Sequence, residues 1–196
     1  MSTGIRGLLL CGGSATRFGS DKLLHPVESR GETAALVSHS ARNLLAGARN
    51  ALAVIPPGAS ALRRALEAAG CDILESQETR GGLGASLAAA VSSCREAVGW
   101  IVALGDMPFI RPETIAAVRE TLAGGALIAA PFLANAQRGH PVGFAHTLGD
   151  ELAALSGDDG ARSVIARHRA GLVPVPVADP GIVADIDTPD DLERRG

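Results

Sequence analysis

A chain of 196 residues with 46% hydrophobic and 20% charged residues is long enough for one well-filled core, and its ordinary composition argues against large-scale disorder. The net charge of −3 and the pI of about 5.9 exclude any general electrostatic hold on nucleic acid or an anionic membrane, so a phosphate-bearing partner has to be gripped locally. Cys11, Cys71 and Cys94 are odd in number and far apart, which excludes a disulfide framework or a paired-cysteine zinc site and suits buried thiols.

The first predicted element is an apolar strand over residues 5–11, and it runs straight into Gly12 and Gly13. A strand apolar nearly throughout is expected to be covered on both faces, and ligands of α/β folds bind at the carboxyl ends of such strands. The stretch CGGSATRFGSDKLL then presents Arg17 and Lys22 within ten residues of the glycines. It fits neither a Walker loop nor a dinucleotide fingerprint, because no G-K-[ST] and no G-x-G-x-x-G occur. Backbone amides with one guanidinium and one ammonium suit a triphosphate; the alternative is a pair of solvated loop cations.

Ala- and Leu-rich helices are expected over 33–47 and 60–69, with strands over 51–55 and 72–75 between and after them. A helix over 84–97 opens on Gly81, Gly82 and Gly84, where Ser86 offers a polar contact to a flat base, or where the chain simply has a loose helix entry. The next strand, 100–104, ends in Gly105-Asp106-Met107-Pro108. If both strands are central, Asp106 faces the same crevice as the glycine turn and can complete a Mg²⁺ site with substrate phosphates; otherwise it forms a loop turn.

Pro112 starts a helix over 112–123, strands follow over 126–130 and 140–145, and helices over 147–155 and 160–169. His140 precedes a proline in GHPVGF, a placement compatible with a ligand or with a structural histidine, and Asp158-Asp159-Gly160 reads as a helix cap. After a strand over 172–178, Asp185 and Asp187 alternate on an extended segment and point the same way, which favours a cation between them. Thr188-Pro189-Asp190-Asp191 opens a last helix over 189–195. Alternating strands and helices without repeats or linkers predict one α/β domain over 1–196, three-layered with a mostly parallel sheet. The N-terminus has no signal-peptide run, and the longest uncharged stretch, Thr121 to Gln137, is too interrupted to span a bilayer, so the expected location is cytoplasmic.

Taken in order, CGGSATRFGSDKLL, GGLGASL, LGDMP, GHPVGF with GDDGAR, and DIDTPDDL resemble the molybdenum cofactor nucleotidyltransferases, in particular their cytidylyltransferase-like branch. The resemblance implies a Rossmann-like fold of the nucleotide-diphosphosugar transferase type. It implies that Leu10, Cys11, Gly12, Gly13, Arg17 and Lys22 bind the nucleoside triphosphate, with Gly82 and Ser86 near the base and His140 on the pterin side. Arg17, Lys22 and Asp106 would be the catalytic set, with Asp106 and Asp187 on Mg²⁺. The implied reaction moves a nucleoside monophosphate from CTP or GTP onto the terminal phosphate of molybdopterin, with a molybdoenzyme as a further partner. Cys11 stands where this family has alanine, and Gly12 where its cytidylyl members have alanine; GHPV and GDDGAR nonetheless favour CTP. The alternatives are a guanylyltransferase of the same cofactor, a nucleotidyltransferase for another small phosphate, and a non-catalytic accessory protein that delivers the cofactor.

Overall fold

The strand β1 (Ile5–Leu10) lies inside a seven-stranded sheet and is apolar and buried from Gly7 to Leu10, where both of its faces are covered. Leu8 and Leu10 point into one core layer, Leu9 and Cys11 into the other. Leu8 and Leu9 are wholly buried, and burial of such a side chain contributes about 2 kcal/mol. The computed structural model describes residues 4–12 and 22–186. The segment with Gly13 and Arg17, the residue Asp187 and the helix expected over 189–195 lie outside the described residues.

After a single 3-10 turn at Lys22–Leu24, the chain forms β2 (Pro26–Ser29) and β3 (Glu32–Ala35), an antiparallel hairpin. The helix expected from residue 33 begins instead at residue 36 as α1 (Leu36–Ala48). Its first residues are drawn into the hairpin by a two-residue turn in which Arg30 and Gly31 both have positive φ, the geometry that matches strand twist. Val27 and Leu36 then pack with Ile186, a contact no local pattern announces.

The remaining elements are β4 (Ala51–Ile55), α2 (Ser60–Ala69), β5 (Asp72–Glu75), α3 (Leu83–Ser93), β6 (Gly99–Leu104), α4 (Pro112–Ala123), β7 (Ile128–Phe132), β8 (Val142–Ala145), α5 (Gly149–Ala153), α6 (Arg162–Arg167) and β9 (Leu172–Pro176). The sheet order is β5-β4-β1-β6-β8-β7-β9. All neighbours are parallel except β8, which runs antiparallel to both β6 and β7. Helices α1, α2 and α4 cover one face through Leu44, Leu66 and Ile115; α3, α5 and α6 cover the other through Leu87, Leu152 and Val164. The result is the expected single three-layer α/β domain. The three cysteines are free and buried, and among the described residues no helix is long and apolar enough to cross a membrane.

After β9 the chain turns back along the carboxyl ends of the strands as a strap over residues 177–186. Asp179 anchors it: the buried carboxylate accepts from Arg111 N at 2.8 Å, Thr114 Oγ1 at 2.7 Å and its own loop at Gly181 N, 3.0 Å. It thereby holds the start of α4 from outside that helix, taking the amide of the residue before Pro112 and the hydroxyl of Thr114 in the first turn. Further along, Ile182 O accepts from His140 N at 2.8 Å and Ile186 N donates to Asp106 O at 3.1 Å. Replacing Asp179 by Ala strands two buried donors and is expected to cost about 2–4 kcal/mol in urea unfolding, with Asp179→Asn costing less because one acceptor oxygen survives. An unchanged unfolding midpoint in Asp179→Ala would remove the strap's anchor.

Candidate functional site

The parallel register of β1 and β6 pairs Leu10 with Leu104, so both strands end at the same level. Gly105 N continues the ladder by donating to Leu10 O at 2.9 Å, and Cys11 N donates to Val54 O of β4 at 3.0 Å. Cys11-Gly12 and Gly105-Asp106 therefore leave the sheet side by side. Gly105 O is held by the buried hydroxyl of Ser40 at 2.9 Å, which ties this exit to α1.

Lys22 opens the 3-10 turn beyond the glycine segment, and its ammonium lies 3.0 Å from Asp106 Oδ2. Eighty-four positions separate the two residues in the chain. Both are largely withdrawn from water, with side-chain exposures of 11% and 27%. Asp106 Oδ1 is buried and has no hydrogen-bond partner among the described residues. Such a carboxylate oxygen is costly to leave dry, and a cation or a donor from a ligand satisfies it. Beside the pair is a cavity of about 330 Å³ lined by Cys11, Lys22, Leu23, Pro56, Gly58 and Ser60, among others, at the carboxyl ends of β1 and β4.

Gly12 abuts the turn Gln77–Gly81 and the start of α3. A Cβ at this position would stand 2.9 Å from Ser86 Oγ and 3.1 Å from Thr79 Cβ. The space that an alanine would take is thus already filled, which explains Gly12 sterically. Ser86 itself is fully buried and donates to Gly82 O at 2.9 Å. Gly82 has φ of 95°, and a side chain there would run into Gly157 and Asp158. Gly84 N donates to Gly157 O at 2.7 Å. Both glycine-rich segments, GGLG and GDDG, are therefore packed on each other.

His140 reaches the site through the strap and through charge. Its Nδ1 is buried without a partner among the described residues. Burial pushes its pKa down, reinforced by the charge of Arg138 and opposed by that of Asp106. Burial likewise pushes the Cys11 thiol far up and the Cys71 thiol up to about 11, so neither serves as a thiolate.

Lys22, Asp106, Cys11 and Gly12 are thus brought together with Leu10 behind them, Ser86 and Gly82 form the adjoining wall, and His140 lies across the strap. Asp185 belongs to that strap, next to the residue that bonds to Asp106 O. Among the described residues no group of three His, Cys, Asp or Glu is placed to hold a metal ion. Thr79, Ser40 and Asp179 are the supporting residues that sequence reasoning missed. Only Asp179 carried a local signal, the turn-forming pair Asp-Pro.

Because the folded state lowers the proton affinity of His140 below the ordinary 6.5, unfolded chains bind more protons as pH falls through that value, and stability is lost on acidification. Between about pH 7.5 and about pH 5.5 the wild type is expected to lose more unfolding free energy than His140→Asn, by up to about 1.4 kcal/mol per pH unit. Identical pH slopes in the two proteins would refute this.

Residues 7–172 match the MobA-like NTP transferase domain. The bifunctional protein GlmU of Xanthobacter autotrophicus is 32% identical over 178 residues, covering 85% of this chain; the chain spans only 38% of that protein's length. Rv0371c from Mycobacterium tuberculosis H37Rv superposes with a TM-score of 0.81 at 28% identity, covering 99% of this chain and 97% of that one. Its complex with manganese superposes at 0.79 and 27% identity, covering 99% and 98%. The molybdopterin-guanine dinucleotide biosynthesis protein A from Archaeoglobus fulgidus, at 21% identity and a TM-score of 0.64 over 97% of this chain and 96% of that one, shares the fold. The family match, which covers most of the chain, places this protein in the MobA-like NTP transferase family.

Proposed function

We propose that the protein transfers CMP from CTP to the terminal phosphate of molybdopterin, releasing pyrophosphate. The observation that carries the reading is the Lys22–Asp106 pair, with one carboxylate oxygen on the ammonium and the other buried without a partner among the described residues. The acceptor phosphate is already an anionic nucleophile. One of its oxygens attacks the α-phosphorus, the new P–O bond forms, and the bond to the bridging oxygen breaks with its electron pair leaving on pyrophosphate. No strong base is required, which accords with a neutral His140 and protonated thiols.

What the protein supplies is position and charge. Lys22, and Arg17 with the amides of Gly12 and Gly13, would hold the triphosphate; Cys11 and Leu10 give the wall behind it, and Gly82 with Ser86 the wall on the base side. The unpartnered Oδ1 of Asp106 fits a divalent cation, with Asp187 as the second carboxylate and substrate phosphates completing the shell. Bound there, Mg²⁺ would supply charge neutralisation for the phosphates as they approach and for the leaving pyrophosphate. The manganese complex of Rv0371c supports a divalent ion in this family, and the motifs GHPV and GDDGAR support CTP over GTP.

The test is pyrophosphate release with molybdopterin and CTP or GTP. Turnover is expected to be faster with CTP, abolished by EDTA and restored by Mg²⁺. Lys22→Ala and Asp106→Asn are expected to lower kcat by about 100-fold or more while the circular dichroism spectrum stays native. Wild-type turnover in Lys22→Ala removes that residue from the mechanism; turnover with a sugar 1-phosphate but not with molybdopterin changes the acceptor; no turnover with any triphosphate leaves a cofactor-delivery protein, in which Asp106→Asn would keep delivery intact.

A further inference from the structure

On the far side of His140 from β1, a cavity of about 500 Å³ lies between α6, the start of β9 and the end of β7. Arg138, Arg162 and Arg169 line it together with Phe132, Ile165 and Leu172. None of the three guanidiniums is paired with a carboxylate among the described residues, whereas Arg167 on the same helix is taken up by Glu151 at 2.8 Å. Three uncompensated cations facing one concavity repel each other, and an acidic chain has carboxylates enough to neutralise them. Their convergence is therefore best satisfied by an anion brought from outside, which guanidinium forks grip through paired hydrogen bonds.

Apolar lining beside the cations specifies more than an inorganic ion. Phe132, Ile165 and Leu172 suit a flat, apolar body attached to the anionic group. The cavity is joined to the first site through the chain: Arg138 in its wall lies two residues before His140, whose N donates to Ile182 O of the strap at 2.8 Å, and Ile186 N of the same strap donates to Asp106 O at 3.1 Å. The reacting phosphate of the acceptor has to sit at the Lys22–Asp106 centre, so the arginines meet a different part of the molecule.

The geometry points to the Arg138–Arg162–Arg169 cavity as a second anion subsite that receives the non-reacting end of the acceptor, a flat body bearing its own negative charge. That the ligand is the acceptor rests on the function proposed above; that the cavity binds an organic anion does not.

The two statements are tested separately. Binding is measured by calorimetry with 1-naphthyl phosphate, 1-naphthol and inorganic phosphate, using the Lys22→Ala protein so that the first centre contributes little. Naphthyl phosphate is expected to bind most tightly, and Arg138→Gln/Arg162→Gln/Arg169→Gln added to that protein to weaken it by about tenfold or more with no change in Tm, since all three arginines are exposed. Equal affinity with and without the arginines, or equal affinity for naphthol, overturns the subsite. In turnover the triple variant, made in the wild-type background, is expected to raise the acceptor KM about tenfold and to leave the CTP KM within about twofold. An unmoved acceptor KM beside lost naphthyl phosphate binding overturns the assignment to the acceptor. Absence of wild-type turnover overturns the nucleotidyl-transfer reading alone, and the calorimetry still decides the cavity.

Discussion

The parallel pairing of β1 with β6 is the constraint on which the site depends. Residue-by-residue register from Ile5–Gly99 to Leu10–Leu104 brings two strands to an end at one height, and one more hydrogen bond, Gly105 N to Leu10 O, carries the alignment into the loops. Function is then decided by the few residues just past each strand end. A glycine stands within two positions of both ends, the chain turns at Gly105-Asp106, and Lys22 and Asp106 lie 3.0 Å apart from positions 84 residues apart in the chain. A slip of one residue would turn Leu8 and Leu10 into the layer that Leu9 and Cys11 occupy, and burial on both faces makes such a slip prohibitive.

Alignment at the strand ends is not enough to hold loops still, and the strap after β9 provides the missing restraint. Asp179 fastens it to the first turn of α4, Ile182 to His140, and Ile186 to the backbone of Asp106. The loop carrying Asp106 is thereby bounded by β6 before it, α4 after it and the strap beside it. Three anchors matter because a charge pair withdrawn from water contributes little unless its geometry is maintained: the desolvation cost is incurred regardless, and only a held distance returns the attraction. Ser40 on Gly105 O serves the same end from the side of α1.

Much of this frame is legible in the sequence, for identifiable reasons. The span of α2 follows from its apolar spacing and from Gly70, which ends it in the left-handed conformation; that of α4 follows from Pro112. Asp106 is legible because a carboxylate just after a fully apolar strand has few other places to go. The hairpin β2–β3 is not, since its polar residues Glu28 and Glu32 obscure a strand pattern and its support comes from Val27, Leu36 and Ile186, distant in the chain. Nor can local pattern announce that β8 runs antiparallel, since its burial between β6 and β7 is the same in either direction. The glycines of GGLG point by sequence towards a ligand, while the structure has Gly82 and Gly84 accommodating the 156–158 backbone, a packing demand indistinguishable by sequence from room for a base.

The distribution of charge completes the physical picture. A net charge of −3 would repel polyanions if it were spread evenly, yet positive groups gather locally, Lys22 beside Asp106 past the end of β6 and Arg138, Arg162 and Arg169 around the second cavity. The two centres differ in kind. Lys22 is buried and neutralised by Asp106, so its ammonium is held in position without an exposed field; the arginines are exposed and unneutralised, so their field extends into solvent and acts on an anion before contact. Screening by salt therefore weakens attraction at the arginine cavity far more than at the buried pair. Burial, helped by the charge of Arg138, pushes the pKa of His140 down against the opposing charge of Asp106, which disfavours a further positive charge on that side chain.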